Sequence, residues 1–438
     1  MAQRNLFVDY QQLSSVRTNP QNSRRHSKKQ IRQLARSIEI FGFNVPVLVD
    51  AQGGLISGHG RVLAAQLLGM TQVPTIKLEH LTEAQIRAFM IADNRLTENS
   101  AWDDRLLAEQ LKALSVLDLD FSIEVTGFEM PEIKMRIEGL APASRGKGDP
   151  ADLIPAYETR PAVTRAGDLW VLGRHRVYCG DGRNDLAYSL LMDGRLAKMV
   201  FTDPACNGAA GSSVTGVKKA GPRATRVSET EFVTFLENVI ARLARNSVDG
   251  ALHFICIDWR HSGQLIAASC SADMEFKDLC VWVRDDAEQG SLYRSQHELV
   301  FVFRNCKTPN GDNLQLHQHD PHRTNVWRYR CVSSLSRNGR EGKRSSFPAA
   351  IKPVALVADA ILDGTGQGDI VLDPFLGNGA TVIAAERTDR VCYAIELDPQ
   401  YVDVSVGRWQ AFTGQNAIQE STGRTFNEVE EASHGRPQ

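Results

Sequence analysis

Apolar and polar positions alternate at two different periods along the chain. In QIRQLARSIEIFGF, Ile31, Leu34, Ile38 and Phe41 recur at helical spacing, which predicts an amphipathic helix. PVLVD and GLISG follow as short apolar runs around a turn at Gln52–Gly54 and read as strands. RVLAAQLLGM reads as a helix closed by Gly69, VPTIKLE as a strand, and TEAQIRAFMIADNRLTE as a helix with Thr82 as N-cap candidate. Short strands and helices thus mix up to about residue 140.

Beyond residue 166 the pattern changes. AKMVFTD, ALHFICID, KDLCVWV, ELVFVFR, DIVLDPF and CYAIELD read as strands, and EFVTFLENVIARLARN, SGQLIAASC, PVALVADAIL and ATVIAAERT as helices between them. Such alternation predicts an α/β fold with a doubly wound, mainly parallel sheet. Residues 141–166 carry four prolines, Pro142, Pro150, Pro155 and Pro161, and read as a linker. The polar, basic stretch 333–347 reads as a mobile loop, and residues 413–438 as a flexible tail. The expected organisation is a small α+β domain at 1–140, the linker, a larger domain at 167–412, and the tail.

Composition narrows the class. With 42% apolar and 23% charged residues in 438, a disordered or fibrous chain is excluded. Neither a membrane-spanning run nor the apolar core of a signal peptide is present, which points to the cytoplasm. The net charge of −2 leaves nucleic acid open, so local charge decides. None of the eight cysteines is spaced two residues from another, so the zinc-finger signal is absent and reduced thiols are expected.

The sharpest motif is IVLDPFLGNGATVIAAERTDRVCYAIELD at 370–398. A strand ends at Asp373, a turn with Gly377 and Gly379 opens a helix, and a second strand ends in Glu396, 19 residues after Gly377. Glycines there let backbone approach a ligand, and an acid at that spacing accepts ribose hydroxyls. The stretch resembles motif I of S-adenosylmethionine-dependent DNA amino-methyltransferases. That resemblance implies a Rossmann-like methyltransferase domain, with a cofactor pocket formed by Asp373, Pro374, Phe375, Gly377, Gly379, Thr381 and Glu396. Lys352-Pro353-Val354-Ala355-Leu356 resembles the family's KPxxL element, which closes the pocket. GDLWVLGRHRVYCGD at 167–181 resembles the segment that begins the domain and implies that Asp181 lies near the adenine.

The same resemblance implies a catalytic (Asp/Asn/Ser)-Pro-Pro-(Tyr/Phe) tetrapeptide. Asp203-Pro204-Ala205-Cys206 stands in its place, before motif I, as in the circularly permuted β-type group. A carboxylate and a backbone carbonyl at such a site accept the N–H bonds of an exocyclic base amine and free its lone pair, while an aromatic ring stacks on the flipped base. Asp203 and the Pro204 carbonyl are retained, and Cys206 replaces the ring. The expected activity is methylation of the amine of adenine, less readily cytosine, in double-stranded DNA. The alternative is a DNA-binding protein with a decayed catalytic centre. A cytosine C5-methyltransferase fits poorly: Cys206 is displaced by one residue from Pro204, and Glu237 falls within an amphipathic helix.

Two basic stretches suit phosphate contact. Residues 204–227 hold no acid but Lys218, Lys219, Arg223 and Arg226, and residues 22–37 hold six Lys/Arg and no acid, Arg24, Arg25, Lys28 and Lys29 among them. With Gly58-His59-Gly60-Arg61 as its glycine–arginine box, the first segment resembles a ParB-type N-terminal domain. ParB-like domains joined to permuted amino-methyltransferases are known from phage and prophage DNA-modification proteins. A homodimer is left open.

Overall fold

A computed structural model of the chain describes residues 6–20, 22, 24, 26–98, 102–139, 149–154, 161–204, 228–288, 293–306, 324–330 and 352–434. The chain divides into two units, Met1–Pro142 and Ala143–Gln438.

The first unit contains β1 (Val8–Gln12), α1 (Lys28–Phe41), β2 (Val47–Val49), β3 (Leu55–Ser57), α2 (His59–Leu67), β4 (Gln72–Lys77), α3 (Glu83–Glu98), α4 (Asp104–Ser115) and α5 (Met130–Gly139). Ser27 caps α1 by accepting from the Gln30 N–H, and Gly42 ends it at φ 82°, a conformation glycine adopts without strain. The sheet order is β1-β4-β2-β3. Val47, Val49, Leu55, Val62, Ala65 and Val73 form its core. Leu107, Leu111, Ile123 and Ile133 form a separate small core between α4 and α5.

The second unit is built on a ten-stranded sheet. Its elements are β5 (Leu169–Leu172), β6 (His175–Cys179), α6 (Asp185–Met192), β7 (Ala197–Thr202), α7 (Glu229–Arg245), β8 (Ser247–Ile257), α8 (Ser262–Ser271), β9 (Met274–Glu288), β10 (Ser295–Asn305), β11 (Val326–Arg328), α9 (Val354–Gly364), β12 (Ile370–Asp373), α10 (Ala380–Arg387), β13 (Val391–Glu396), α11 (Pro399–Thr413), β14 (Ile418–Gln419) and α12 (Phe426–His434). The strand order is β11-β9-β10-β8-β7-β12-β13-β6-β5-β14. The five central strands, β8 to β6, run parallel to one another. Antiparallel pairs flank them: β10 with β8 and β9, and β5 with β6 and β14. Helices α6, α7 and α8 share one apolar core with the sheet. Helices α9, α10 and α11 stand outside that core and pack on one another. The second unit is thus a Rossmann-like α/β fold with a mainly parallel centre, and the first an α+β unit.

Two expectations are corrected. Of the stretch 413–438, read as a flexible tail, residues 413–434 are described, and they add β14 beside β5 and form α12. Phe426 is buried edge-on against Trp170, with ring centroids 5.1 Å apart. Ala417 is buried as well, so the polar composition of this stretch hides the apolar anchors that hold its described part. The described parts of the 141–166 linker are also tied down. Asp152 accepts from the Val354 N–H at the start of α9 at 2.8 Å, and Asp403 accepts from the Val163 and Thr164 N–H groups at 2.7 and 3.0 Å. Buried backbone donors require such partners, and the prolines do not prevent it. The loop 333–347 lies outside the described residues.

Candidate active site

Strands β6, β7, β12 and β13 run parallel, so their C-terminal ends lie along one edge of the sheet. On that edge the chain places Asp181 after β6, Asp203-Pro204 after β7, Asp373-Pro374 at the end of β12 and Glu396 at the end of β13. Open parallel sheets bind ligands outside these ends, where winding reverses. Here that point lies between β12 and its neighbour β7.

The glycine turn makes a cradle. Gly377 has φ 56°, and among the described residues a Cβ there would meet nothing within 4 Å. Its N–H donates to Glu396 Oε2 at 2.8 Å, and its carbonyl accepts from the Ser405 hydroxyl at 3.0 Å. Gly379 serves packing instead. At φ 86° it precedes α10, and a Cβ there would come within 2.9 Å of Ser405. Glu396 also accepts from the Asp398 N–H at 2.9 Å. Burial pushes its carboxyl up to about 7, against the pull of those two N–H groups.

Asp373 is spent within the turn. It accepts from the hydroxyls of Thr202 at 2.8 Å and Thr381 at 2.6 Å, and from the Phe375 N–H at 3.1 Å. Burial pushes it up to about 6, with these hydrogen bonds opposing. Asp373 and Thr381 therefore fix the turn. Pro374 lies against the turn after β6, its carbonyl 3.0 Å from where a Gly182 Cβ would stand, and the Phe375 ring packs on Phe235. The Asp181 carboxylate is engaged by the Arg183 guanidinium, at 2.6 Å for the shortest contact. Burial opposes that pairing, yet Asp181 still lies below its ordinary value.

Lys352 meets two carboxylates. Its ammonium lies 2.7 Å from Asp203 Oδ2 and 2.6 Å from Glu298 Oε2, with 8% of its side chain exposed. Glu298 in turn accepts from Arg284 at 3.3 Å. Burial pushes Asp203 up, and Lys352 pulls it back. Glu298 and Arg284 went unrecognised in the sequence. The available signal was one acid at the head of an otherwise apolar strand, ELVFVFR.

Ala205, Cys206, Lys218, Lys219, Arg223 and Arg226 lie outside the described residues, as does Arg25. In the first unit Lys28 is exposed. Lys29 is already paired with Glu129 at 2.7 Å, and Arg24 donates to Asn94 at 3.1 Å. Arg61 of the glycine–arginine box donates to the carbonyls of Val45 and Pro46. His59 begins α2.

Three family models match the chain. Residues 3–94 match the ParB N-terminal domain, 105–166 the ParB-methyltransferase HTH domain, and 197–407 the N6/N4-type model described as DNA methylase. The helix-turn-helix match, which takes in α5 and most of α4, has no counterpart in the sequence reading. Among relatives, the ParB-like nuclease domain-containing protein YnaK of Escherichia coli is 45% identical over 80 residues, 18% of this chain and 92% of the relative. The type II methyltransferase M.Cfr9I of Citrobacter freundii is 45% identical over 58 residues, 13% of this chain and 19% of the relative. The type II methyltransferase M2.MboI of Moraxella bovis is 29% identical over 122 residues, 27% of this chain and 42% of the relative. The matched stretches thus span less than half of either methyltransferase. By these matches the chain belongs to the proteins that join a ParB N-terminal domain to a DNA methyltransferase domain of the N6/N4 type.

Proposed function

We propose that this protein transfers a methyl group from S-adenosylmethionine to the exocyclic amine of adenine in double-stranded DNA, in the cytoplasm. The observation that carries the reading is a single strand-end edge bearing both an acceptor carboxylate, Asp203, and an open glycine cradle bounded by Glu396. The cradle fits S-adenosylmethionine. Gly377 leaves open space for a ligand, and Glu396 offers a carboxylate for the ribose hydroxyls. When bound there, the cofactor supplies an electrophilic sulfonium methyl.

The chain's own residues do the rest. Asp203 Oδ1 and the Pro204 carbonyl accept the two N–H bonds of the flipped amine, which turns its lone pair out of conjugation with the ring. As the nitrogen gains its new bond it becomes cationic, and the Asp203 carboxylate stabilises that charge before the extra proton leaves. Adenine is favoured over cytosine by the resemblance of the motifs alone. The decayed-centre alternative rests on Ala205 and Cys206, since loss of base stacking costs about 1–3 kcal/mol. At about 1.4 kcal/mol per decade that slows the reaction without removing its acceptor.

Asp203→Ala is the direct test. It is expected to lower kcat by at least a hundredfold while calorimetry shows S-adenosylmethionine affinity within about twofold of wild type. Full activity in this variant would remove Asp203 from the reaction. The repaired variant Ala205→Pro/Cys206→Tyr is expected to gain about tenfold, from restored stacking.

A further inference from the structure

The pair of charges that meets Asp203 comes from two distant parts of the chain. Lys352 lies just before α9, and Glu298 lies near the head of β10, opposite Trp282 of β9. Strand β10 is antiparallel to β8, with Leu299 facing Ile257. Its N-terminal end therefore lies at the same sheet edge as the C-terminal end of β7. The result is a line of alternating charges: Asp203, Lys352, Glu298, Arg284. The contacts are 2.7, 2.6 and 3.3 Å. Lys352 and Arg284 are nearly closed to solvent, at 8% and 6% exposure of their side chains, whereas the Asp203 side chain keeps 38%. The Trp282 ring lies beside both cations, 5.8 Å from the lysine nitrogen and 6.0 Å from the guanidinium carbon.

Two requirements act on an amine acceptor at this place. It must stay ionised although half-buried and beside other carboxylates, which calls for a nearby cation. It must also keep enough negative charge to accept an N–H and to face a nitrogen that turns cationic. A lysine given wholly to Asp203 would meet the first need and defeat the second. A second carboxylate on the same ammonium divides its charge and fixes its position, while Arg284 balances the added anion.

We propose that Glu298 is a positioning residue for methyl transfer, sharing the Lys352 ammonium with Asp203 so that Asp203 is oriented and ionised yet remains a strong acceptor. This rests on the reading of Asp203 as the amine acceptor. No contact of Glu298 with the base or cofactor is required.

The charges facing Asp203 give the expected signs. Burial raises its proton affinity, Lys352 lowers it, and Glu298 raises it. Asp373 is a further neighbouring anion, and the buried Cys256 thiol titrates far above the working range. Burial would lower the proton affinity of Lys352, but Asp203 and Glu298 outweigh it and keep the ammonium charged. Removing the Glu298 charge therefore lets Asp203 ionise at lower pH, and removing Lys352 does the reverse.

The test measures kcat and KM against pH for the full-length wild type, Glu298→Gln, Glu298→Asp and Lys352→Met. Glu298→Gln is expected to lower kcat at pH 8 at least tenfold, to leave KM for S-adenosylmethionine within twofold, and to move the acid limb of kcat to lower pH. Lys352→Met moves that limb to higher pH. Glu298→Asp keeps the charge, so its limb stays where the wild type has it, and it covers the case in which the glutamine variant does not fold. Diminished activity with an unmoved limb in Glu298→Gln would make Glu298 a structural residue and overturn the proposal; so would unchanged kcat. The carboxyl titration of Asp203, followed by NMR in the 13Cγ-aspartate-labelled full chain and assigned with Asp203→Asn, reads the same shift without turnover. No shift there also overturns it. Undiminished activity in Asp203→Ala would instead defeat the functional reading itself, whatever Glu298 does.

Discussion

Glu396 and Asp373 end neighbouring strands, yet their surroundings give them different work. Asp373 is saturated by Thr202, Thr381 and the Phe375 N–H and holds the turn in shape. Glu396 is half-buried with backbone donors on both oxygens, and desolvation pushes its carboxyl up to about 7 from 4.5. Ribose hydroxyls bind best to the ionised form. Affinity for S-adenosylmethionine is therefore expected to fall about tenfold for each pH unit below the midpoint, and Glu396→Gln should flatten that dependence. Because the folded value lies above the unfolded one, the stability Glu396 contributes is present below pH 4.5 and lost as pH rises through about 7. The cofactor-free wild type should then lose about 1 kcal/mol of stability between pH 6 and pH 8, a dependence that Glu396→Gln removes while binding cofactor more weakly. Calorimetry at pH 6 and 8, with denaturant unfolding of the same samples, checks both. A pH-independent affinity in the wild type would contradict the assignment.

At the scale of elements, the glycine turn, both flanking strands and α10 were legible because motif, period and turn chemistry agree over 370–398. The acceptor strand was legible for the same reason. Less legible were interactions made by single residues in segments of polar composition. Phe426 is one apolar residue in a polar stretch, and only its tertiary packing on Trp170 reveals its use. Ending the chain after Thr413 should lower stability by about 3–5 kcal/mol, the cost of removing a buried aromatic ring, seen as an earlier unfolding midpoint. An unchanged midpoint would return this stretch to a loose tail. Asp152 capping Val354, and Arg408 donating to both Ala151 and Asn378, were hidden likewise, since their partners lie far along the chain. Glu298 was hidden by context: an acid at a strand head reads as solvent-facing until Lys352 is placed on it.

For the whole molecule, we propose that the ParB-like unit contacts DNA phosphates through its basic stretch. Lys29 is held by Glu129, so the exposed part of the basic stretch on α1 is Lys28, Arg32 and Arg36. In the full-length protein, replacing those three by alanine should weaken binding of duplex DNA across all sequences. It should also reduce the slope of log affinity against log salt by about 2–3, since each phosphate that is no longer neutralised takes about 0.9 from it. An unchanged slope would leave α1 a solvated face. Duplex DNA free of modified bases, incubated with the full chain and methyl-labelled S-adenosylmethionine and then digested to nucleosides, is predicted to carry the label in N6-methyldeoxyadenosine. Label in 5-methyldeoxycytidine, or no label from protein that binds both cofactor and DNA, would contradict the account.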